Sequence, residues 1–249
     1  MKNIAHRGFS GKYPENTKIA FTKAIELEAD MIELDVTLSR DRVPVVIHDD
    51  TVDRTSDGKG KVRNLTLDKL RLLDFGSWQS SKFSDQRIST LEEVLQQIKK
   101  SKIGLNIEIK SSAFEKKYSD FCIESQTLQL IQKYKLFNRI VISSFEPGVL
   151  MRLRELSANV KLAYLIGTKY KKLKLDPISF VHQLKAVSLN MHNSLLETEI
   201  FEKATLEHIP VYVYTINTIS EMREVNLLGV AGVFTNYPDK LKKIKAEIY

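Results

Sequence analysis

Residues 104–145 read GLNIEIKSSAFEKKYSDFCIESQTLQLIQKYKLFNRIVISSF. The apolar runs at 104–110 and 139–145 predict two buried strands, and the amphipathic segment at 119–134 predicts a helix between them. A connection of this length suits strands that run parallel, because a parallel crossover needs a dozen or more residues. The segment therefore predicts one β-α-β unit.

The same alternation extends to both sides of this unit. Eight strands separated by helices in 249 residues predict an α/β fold, a (β/α)8 barrel that forms one domain over residues 1–249. An open, doubly wound sheet is the alternative, although no Gly-rich dinucleotide-binding turn follows the first strand. The other six strands are predicted at 3–8, 31–38, 161–166, 186–191, 211–216 and 232–235, with a closing helix at 238–248.

The second strand is predicted to carry an elaboration. Residues 39–42 form a turn and residues 43–49 return as a strand, and so short a connection makes the pair an antiparallel hairpin. From about residue 50 to residue 88 the periodicity weakens, and only 67–73 has a helical pattern. We interpret this polar segment as a small insertion over one face of the domain.

The composition narrows the range of partners. Lys and Arg number 38 against 31 Asp and Glu, a net charge of +7 that favours acidic partners such as a phosphorylated substrate. The lysine clusters at 169–174 and 240–245 are typical of solvated surface, so no nucleic-acid partner is expected. The single cysteine, Cys122, has no disulfide partner. We see no signal peptide and no apolar run of about 20 residues, so we expect no membrane-spanning segment and a cytoplasmic location.

Three acidic residues fall where a barrel places its chemistry, at the carboxyl ends of strands. Glu33 and Asp35 are two positions apart on the second strand and therefore point to the same face. Glu108 occupies the next main strand in the same pattern. Buried carboxylates are costly unless they are paired or bound to a metal. Because hard cations prefer oxygen ligands, the set predicts one divalent cation, Mg²⁺ or Ca²⁺.

Groups suited to phosphate chemistry lie beside these carboxylates. His6 and His48 end the first strand and the returning arm, and they can transfer protons near neutral pH. Arg7 and Lys110 offer cations for a phosphate. Together they provide what cleavage of a phosphate ester requires. A purely structural ion-pair cluster is the alternative.

Residues at the ends of later strands are candidates for contact with the substrate. Ser143 and Phe145 end the fourth strand, and Tyr214 lies near the end of the seventh. In a barrel these positions face the same mouth as the residues above. We therefore expect all three to line the substrate pocket of the site.

At these residues the sequence resembles the glycerophosphodiester phosphodiesterase family. Each segment alone is a weak signal, but the ordered set covers nearly the whole chain and is specific. The matching segments are HRG at 6–8, PENT at 14–17, IELDV at 32–36, VVIHD at 45–49, NIEIK at 106–110, SSF at 143–145 and TNYPD at 235–239.

The resemblance implies a (β/α)8 barrel with a small insertion after the His48 loop, and a divalent cation held by the three carboxylates. It also implies that His6 and His48 are the acid–base pair and that Arg7 and Lys110 hold the phosphate. The implied reaction is hydrolysis of a small-molecule glycerophosphodiester to sn-glycerol 3-phosphate and an alcohol. A lyase that forms a cyclic phosphate on the same barrel and a phosphate sensor without turnover are the alternatives.

Two positions depart from the family pattern. Glu28 stands where the family often has Gly before the second strand, which predicts a reshaped turn at the bottom of the barrel. Tyr214 stands where the family often has Trp, which keeps an aromatic wall but adds a hydroxyl group.

Overall fold

A closed barrel of parallel strands forms the centre of the computed structural model, which describes residues 1–248, with the side chains of all but residues 173, 247 and 248. Within that range eight parallel strands pair in a circle, and β1 closes it by pairing with both β2 and β9. The strands are β1 Lys2–Ala5, β2 Met31–Leu38, β3 Pro44–Val46, β4 Gly104–Ile109, β5 Ile140–Ser144, β6 Lys161–Ile166, β7 Ser188–His192, β8 Val211–Tyr214 and β9 Gly232–Thr235.

Helices follow the barrel strands and cover the outside of the barrel, so the predicted (β/α)8 fold is confirmed and the open sheet is excluded. One predicted helix start is displaced by about a turn: α4 begins four residues after the predicted start at 119, and Cys122, which is fully buried, directly precedes it. The helices are α1 Lys18–Glu26, α2 Leu67–Arg71, α3 Leu91–Lys99, α4 Ile123–Tyr134, α5 Pro147–Leu156, α6 Pro177–Leu184, α7 Glu199–Leu206, α8 Ile219–Leu227 and α9 Pro238–Ile248. Among residues 1–248, no helix combines the length and the apolar character needed to cross a membrane.

The alternation of side chains along β2 and β4 positions the site. Ile32, Leu34 and Val36 are fully buried and belong to the apolar layer between the strands and the helices. The intervening residues, Glu33 and Asp35, therefore point into the barrel. The same alternation turns Leu105 and Ile107 of β4 outward and leaves the polar residues of β4 inside the barrel. The polar interior therefore follows from the alternation of side chains along each strand.

The hairpin strand is shorter than predicted. β3 ends at Val46 rather than at residue 49, although Ile47 still donates its N–H to the carbonyl of Asp35 at 3.0 Å. Beyond Ile47 the chain leaves the ladder, because Ile47 packs into a separate apolar cluster beneath the insertion. The cluster comprises Val45, Ile47, Val52, Val62, Leu70, Phe75 and Ile88.

The turn after α1 keeps a glycine-type conformation although it holds Glu28. Glu28 has φ 60°, and the N–H of Ala29 donates to the carbonyl of Ala24 at 3.1 Å, which closes the helix end in the manner usual for glycine. The turn is therefore not reshaped; the side chain is accommodated at the cost of a left-handed backbone. Its ion pair with Lys242 is exposed and adds little.

Replacing Glu28 with Gly is expected to raise the melting temperature by roughly 2–4 °C, because the left-handed strain disappears while a more flexible unfolded chain offsets part of the gain. Thermal unfolding followed by circular dichroism measures the shift. Glu26→Gly, two residues earlier in helical conformation, is the matched control and should lower the melting temperature. A lower melting temperature for both variants would contradict the prediction.

Candidate functional site

All seven residues predicted for the chemistry lie at the carboxyl end of the barrel. His6 and Arg7 follow β1, Glu33 and Asp35 lie on β2, His48 follows β3, Glu108 lies near the end of β4 and Lys110 comes directly after it. A cavity of about 270 Å³ opens there. Its lining includes His6, Arg7, Glu33, His48, Asn106, Glu108, Ser143, Phe145, Leu165, His192, Tyr214, Thr215 and Phe234.

Three carboxylates form the centre of the site. One oxygen from each of Glu33, Asp35 and Glu108 lies within 4.8 Å of the other two. Glu33 and Asp35 are almost completely buried, at 3% and 1% exposure. Oxygen ligands at this spacing suit one hard divalent cation.

Asp35 is the best-compensated member of the three. Lys110 Nζ lies 3.3 Å from Asp35 Oδ1, Arg7 Nε lies 3.4 Å from Oδ2, and Asn16 Nδ2 donates to Oδ2 at 2.9 Å. Burial disfavours the charge, but Lys110 and Arg7 outweigh it and lower the pKa of Asp35 to about 2. Asp35 is therefore ionised at neutral pH.

The negative charges of Glu33 and Glu108 are less well balanced by neighbouring groups than the charge of Asp35. Burial, with the charges of Asp35 and Glu108, raises the pKa of Glu33 well above its usual value. Burial also raises the pKa of Glu108, against the opposing effect of Lys110, whose Nζ donates to Glu108 Oε1 at 2.9 Å. The two flanking cations therefore do not balance three carboxylates, and the chemistry of the donor set fits a further positive charge among them.

The chain bends sharply at Arg7 and Gly8 to bring Arg7 over the carboxylates. Arg7 has φ 57°, and its N–H donates to Glu33 Oε2 at 2.9 Å. Gly8 has φ 78°, and a Cβ there would lie 2.7 Å from the carbonyl carbon of Ala20, so only glycine fits. Glu15 accepts a hydrogen bond from Arg7 Nη1 at 2.9 Å and fixes the direction of the guanidinium.

Each histidine is oriented through its Nδ1 atom. His6 Nδ1 lies 2.7 Å from Asn236 Oδ1, and its Nε2 lies 3.9 Å from Glu33 Oε2. Burial and the nearby Arg7 lower the pKa of His6 to about 4, so its imidazole is neutral at pH 7. His48 Nδ1 lies 2.6 Å from Asp49 Oδ1. In both cases the partner fixes the ring through Nδ1 and leaves Nε2 available for proton transfer.

The candidate substrate residues form one wall of the cavity. Ser143 is fully buried and its Oγ accepts a hydrogen bond from Asn106 Nδ2 at 2.8 Å. The rings of Phe145 and Tyr214 meet edge to face, with centroids 6.0 Å apart and planes at 88°. The additional hydroxyl of Tyr214 donates to the carbonyl of Ile166 at 2.8 Å, so it braces β6 and does not alter the aromatic face.

Four residues that contact the site have no role predicted from the sequence: Glu15, Asn16, Asp49 and Asn236. They bind Arg7, Asp35, His48 and His6, respectively. Each sits inside one of the short segments that carry the family resemblance, which was the available signal.

Comparison with known proteins gives a consistent result. Residues 6–240 match the model of the glycerophosphoryl diester phosphodiesterase family. A glycerophosphodiester phosphodiesterase of Caldanaerobacter subterraneus is 36% identical over 238 residues, covering 96% of this chain and 95% of its own. A glycerophosphodiester phosphodiesterase of Bacillus altitudinis is 33% identical, covering 99% of each.

Solved structures show the same similarity. An Oleispira antarctica phosphodiesterase, solved in complex with the product sn-glycerol-3-phosphate, superposes with a TM-score of 0.84 at 27% identity. The match covers 98% of this chain and 96% of that one.

Proposed function

The chain belongs to the glycerophosphoryl diester phosphodiesterase family and acts as a glycerophosphodiester phosphodiesterase, and from this premise we propose how its residues carry out a metal-dependent hydrolysis to sn-glycerol 3-phosphate and an alcohol. The observation that carries the proposal is a cluster of three carboxylates, two of them buried, at the same end of the barrel as two histidines whose rings are fixed through Nδ1. A cluster of ion pairs that served only stability would not require two imidazoles in the lining of a cavity.

We propose Glu33, Asp35 and Glu108 as the ligands of one divalent cation, Mg²⁺ or Ca²⁺. The oxygen-only donor set, the 4.8 Å spacing and the raised pKa values of Glu33 and Glu108 support this proposal. When bound, such a cation supplies electrostatic stabilisation of the charge that develops on the phosphoryl oxygens.

Arg7 and Lys110 are proposed to hold the phosphate of the substrate. Both lie at the rim of the carboxylate cluster and are largely buried, with 17% and 16% of their side chains exposed. A planar guanidinium can bind two phosphate oxygens at once, and the ammonium of Lys110 adds a point charge. The charged diester is thereby oriented between the two histidines before any bond changes.

His6 and His48 are proposed to divide the proton transfers. The neutral imidazole of His6 accepts a proton from the attacking water as the new P–O bond forms. The carboxylate of Asp49 fixes the ring of His48 through Nδ1, and His48 donates a proton to the departing alcohol oxygen as the old P–O bond breaks. The products are then a phosphate monoester and an alcohol.

The wall formed by Ser143, Phe145 and Tyr214 is proposed to contact the organic part of the substrate. This assignment is supported by their place in the cavity that also contains both histidines. The Oleispira antarctica phosphodiesterase, which binds sn-glycerol-3-phosphate in a similar barrel, supports a small-molecule substrate of this class. We also propose that the protein is cytoplasmic.

Chelation with EDTA is expected to lower the rate of sn-glycerol 3-phosphate release by about 10²–10⁴-fold, because a metal contributes several kcal/mol to such a reaction. Adding Mg²⁺ or Ca²⁺ in excess should restore the rate. Affinity for the cation should rise with pH, since Glu33 and Glu108 must lose their protons to bind it. Full activity after exhaustive chelation would eliminate the metal role.

Isotope labelling of the product distinguishes direct hydrolysis from the lyase reaction. Hydrolysis in ¹⁸O-labelled water should place one label in sn-glycerol 3-phosphate at the first turnover, with no cyclic phosphate detected by ³¹P NMR. A transient cyclic phosphate would instead support the lyase reaction on this barrel.

A further inference from the structure

Arg54, at the start of the insertion, is bound to two carboxylates at once. Its Nη1 and Nη2 donate to Glu15 at 2.9 and 2.7 Å, and its Nε and Nη2 donate to Asp49 at 2.7 and 3.0 Å. All four contacts are charge-assisted and have the paired geometry that guanidinium favours. Arg54 thus joins the loop after β1 to the loop after β3.

Each of these carboxylates also holds a residue of the site. Glu15 Oε1 accepts from Arg7 Nη1 at 2.9 Å, and Asp49 Oδ1 lies 2.6 Å from His48 Nδ1. The result is a chain of alternating charge that runs from Arg7 to His48 through Arg54. One end lies at the proposed phosphate site, and the other is a proton-transfer group.

We infer that Arg54 is a positioning residue for the hydrolysis, which fixes the guanidinium of Arg7 through Glu15 and the imidazole of His48 through Asp49. The inference rests on the proposed roles of Arg7 and His48. Arg54 does not line the cavity that contains His48, so it acts through its two partners rather than on the substrate. It also gives the insertion a part in the chemistry, beyond covering one face of the barrel.

The loop that carries Arg54 is held firmly. Val52 is fully buried and its N–H donates to the carbonyl of Gly60 at 3.0 Å, while Val62 donates to Asp50 at 2.9 Å. Thr55, the residue after Arg54, is 4% exposed. A side chain on such an anchored loop can impose a direction on its partners, which a mobile surface arginine cannot.

A second arginine of the chain provides a matched comparison. Arg42 Nη1 and Nη2 donate to Glu115 at 2.9 and 2.7 Å, the same paired geometry that Arg54 makes with Glu15. The two arginines are similarly exposed, at 37% and 43%. Glu115, however, contacts neither histidine and none of the three carboxylates of the site among its described hydrogen bonds and ion pairs. Arg42 also donates to the carbonyl of Phe121 at 2.9 Å, as Arg54 also binds a second partner, so Arg42 tests what a doubly bonded surface arginine outside the site contributes.

The decisive experiment compares Arg54→Met with Arg42→Met in the metal-loaded full chain. We expect Arg54→Met to lower kcat for glycerophosphocholine by about 10–100-fold, comparable to the loss when a partner that orients a metal ligand is removed. Arg42→Met should stay within about twofold, since surface ion pairs contribute little. Arg54→Lys, which can satisfy only one of the two carboxylates, should fall between wild type and Arg54→Met.

A double-mutant cycle separates positioning from general stability. In the His48→Ala background, Arg54→Met should lower kcat by a smaller factor than it does in wild type, because one of the two groups that Arg54 orients is gone and only the contact to Arg7 through Glu15 remains. Full additivity, or a kcat for Arg54→Met within twofold of wild type in a folded enzyme, overturns the inference. If His48→Ala itself retains full activity, the proposed function fails at that residue, and the role of Arg54 in orienting it fails too.

Discussion

Glu33→Gln is expected to lower the activity at least about 10³-fold. The same substitution is expected to raise the melting temperature of the metal-free protein. The activity falls because a neutral amide is a poor ligand for a hard cation, and a metal contributes several kcal/mol. The stability rises because Glu33 is buried at 3% exposure beside two other carboxylates. Gln has the same shape, and its Oε1 can still accept the N–H of Arg7 that Glu33 binds at 2.9 Å.

The sign of the stability change follows from the pKa of Glu33. Burial and the charges of Asp35 and Glu108 raise that pKa in the folded protein above the value in the unfolded chain. The folded state therefore holds a proton more tightly, and the free energy of unfolding falls as pH rises from the unfolded pKa through the raised folded pKa. The gain from Glu33→Gln should grow over the same range and vanish at lower pH.

Asp35→Asn is the matched contrast and should act in the opposite direction. Lys110 and Arg7 overcome burial and lower the pKa of Asp35 from 3.8 to about 2. That difference corresponds to on the order of 2 kcal/mol of stability at neutral pH, which is lost as pH falls toward 2. Both variants should be inactive, but only Asp35→Asn should also be destabilised.

Thermal melts in EDTA at pH 5 and pH 8 measure both effects. A melting temperature for Glu33→Gln that is no higher than wild type at pH 8 would show that the carboxylate is already compensated in the metal-free protein. A functional site that weakens the fold to this extent is expected where selection retains ligand charges for chemistry.

The two strands that carry the ligands were predictable because one rule determines them. Alternation along β2 forces Glu33 and Asp35 to the same side once Ile32, Leu34 and Val36 are recognised as apolar. The pairing of β2 with β4 places Glu108 at the same height along the barrel axis, since Asp35 stands opposite Glu108 on the adjacent strand. A period of two and the order of parallel strands are thus sufficient to predict the carboxylate cluster.

The partners that orient the site were not predictable from the same rules. His6 and Asn236 are 230 residues apart, and their contact depends on the closure of β1 against β9. Arg54 lies in the insertion, where the periodicity is weak and no pattern sets the direction of a side chain. The early end of β3 has the same origin, because packing of Ile47 under that insertion overrides strand propensity.

His48→Ala is expected to lower kcat for glycerophosphocholine by about 10²–10⁴-fold, the contribution typical of a general acid or base. The loss should be far smaller with a p-nitrophenyl ester of glycerol phosphate, because a phenolate departs without being protonated. An alkoxide leaving group, in contrast, requires a proton, and the pairing of His48 Nδ1 with Asp49 Oδ1 at 2.6 Å fixes the ring that would deliver it. Steady-state kinetics on both esters measures the difference.

His6→Ala provides the control, since its loss should be equally large on both esters. The pKa of His6 is lowered to about 4 by burial and by Arg7, so the ring is neutral at pH 7 and suited to accept a proton from water. Attack of water precedes or accompanies loss of either leaving group, so a better leaving group cannot replace a missing base. If the p-nitrophenyl ester instead rescues His6→Ala and not His48→Ala, the two roles are exchanged. The hydrogen bond from His6 to Asn236 then orients the acid, and the contact with the Asp49 carboxylate then orients the base.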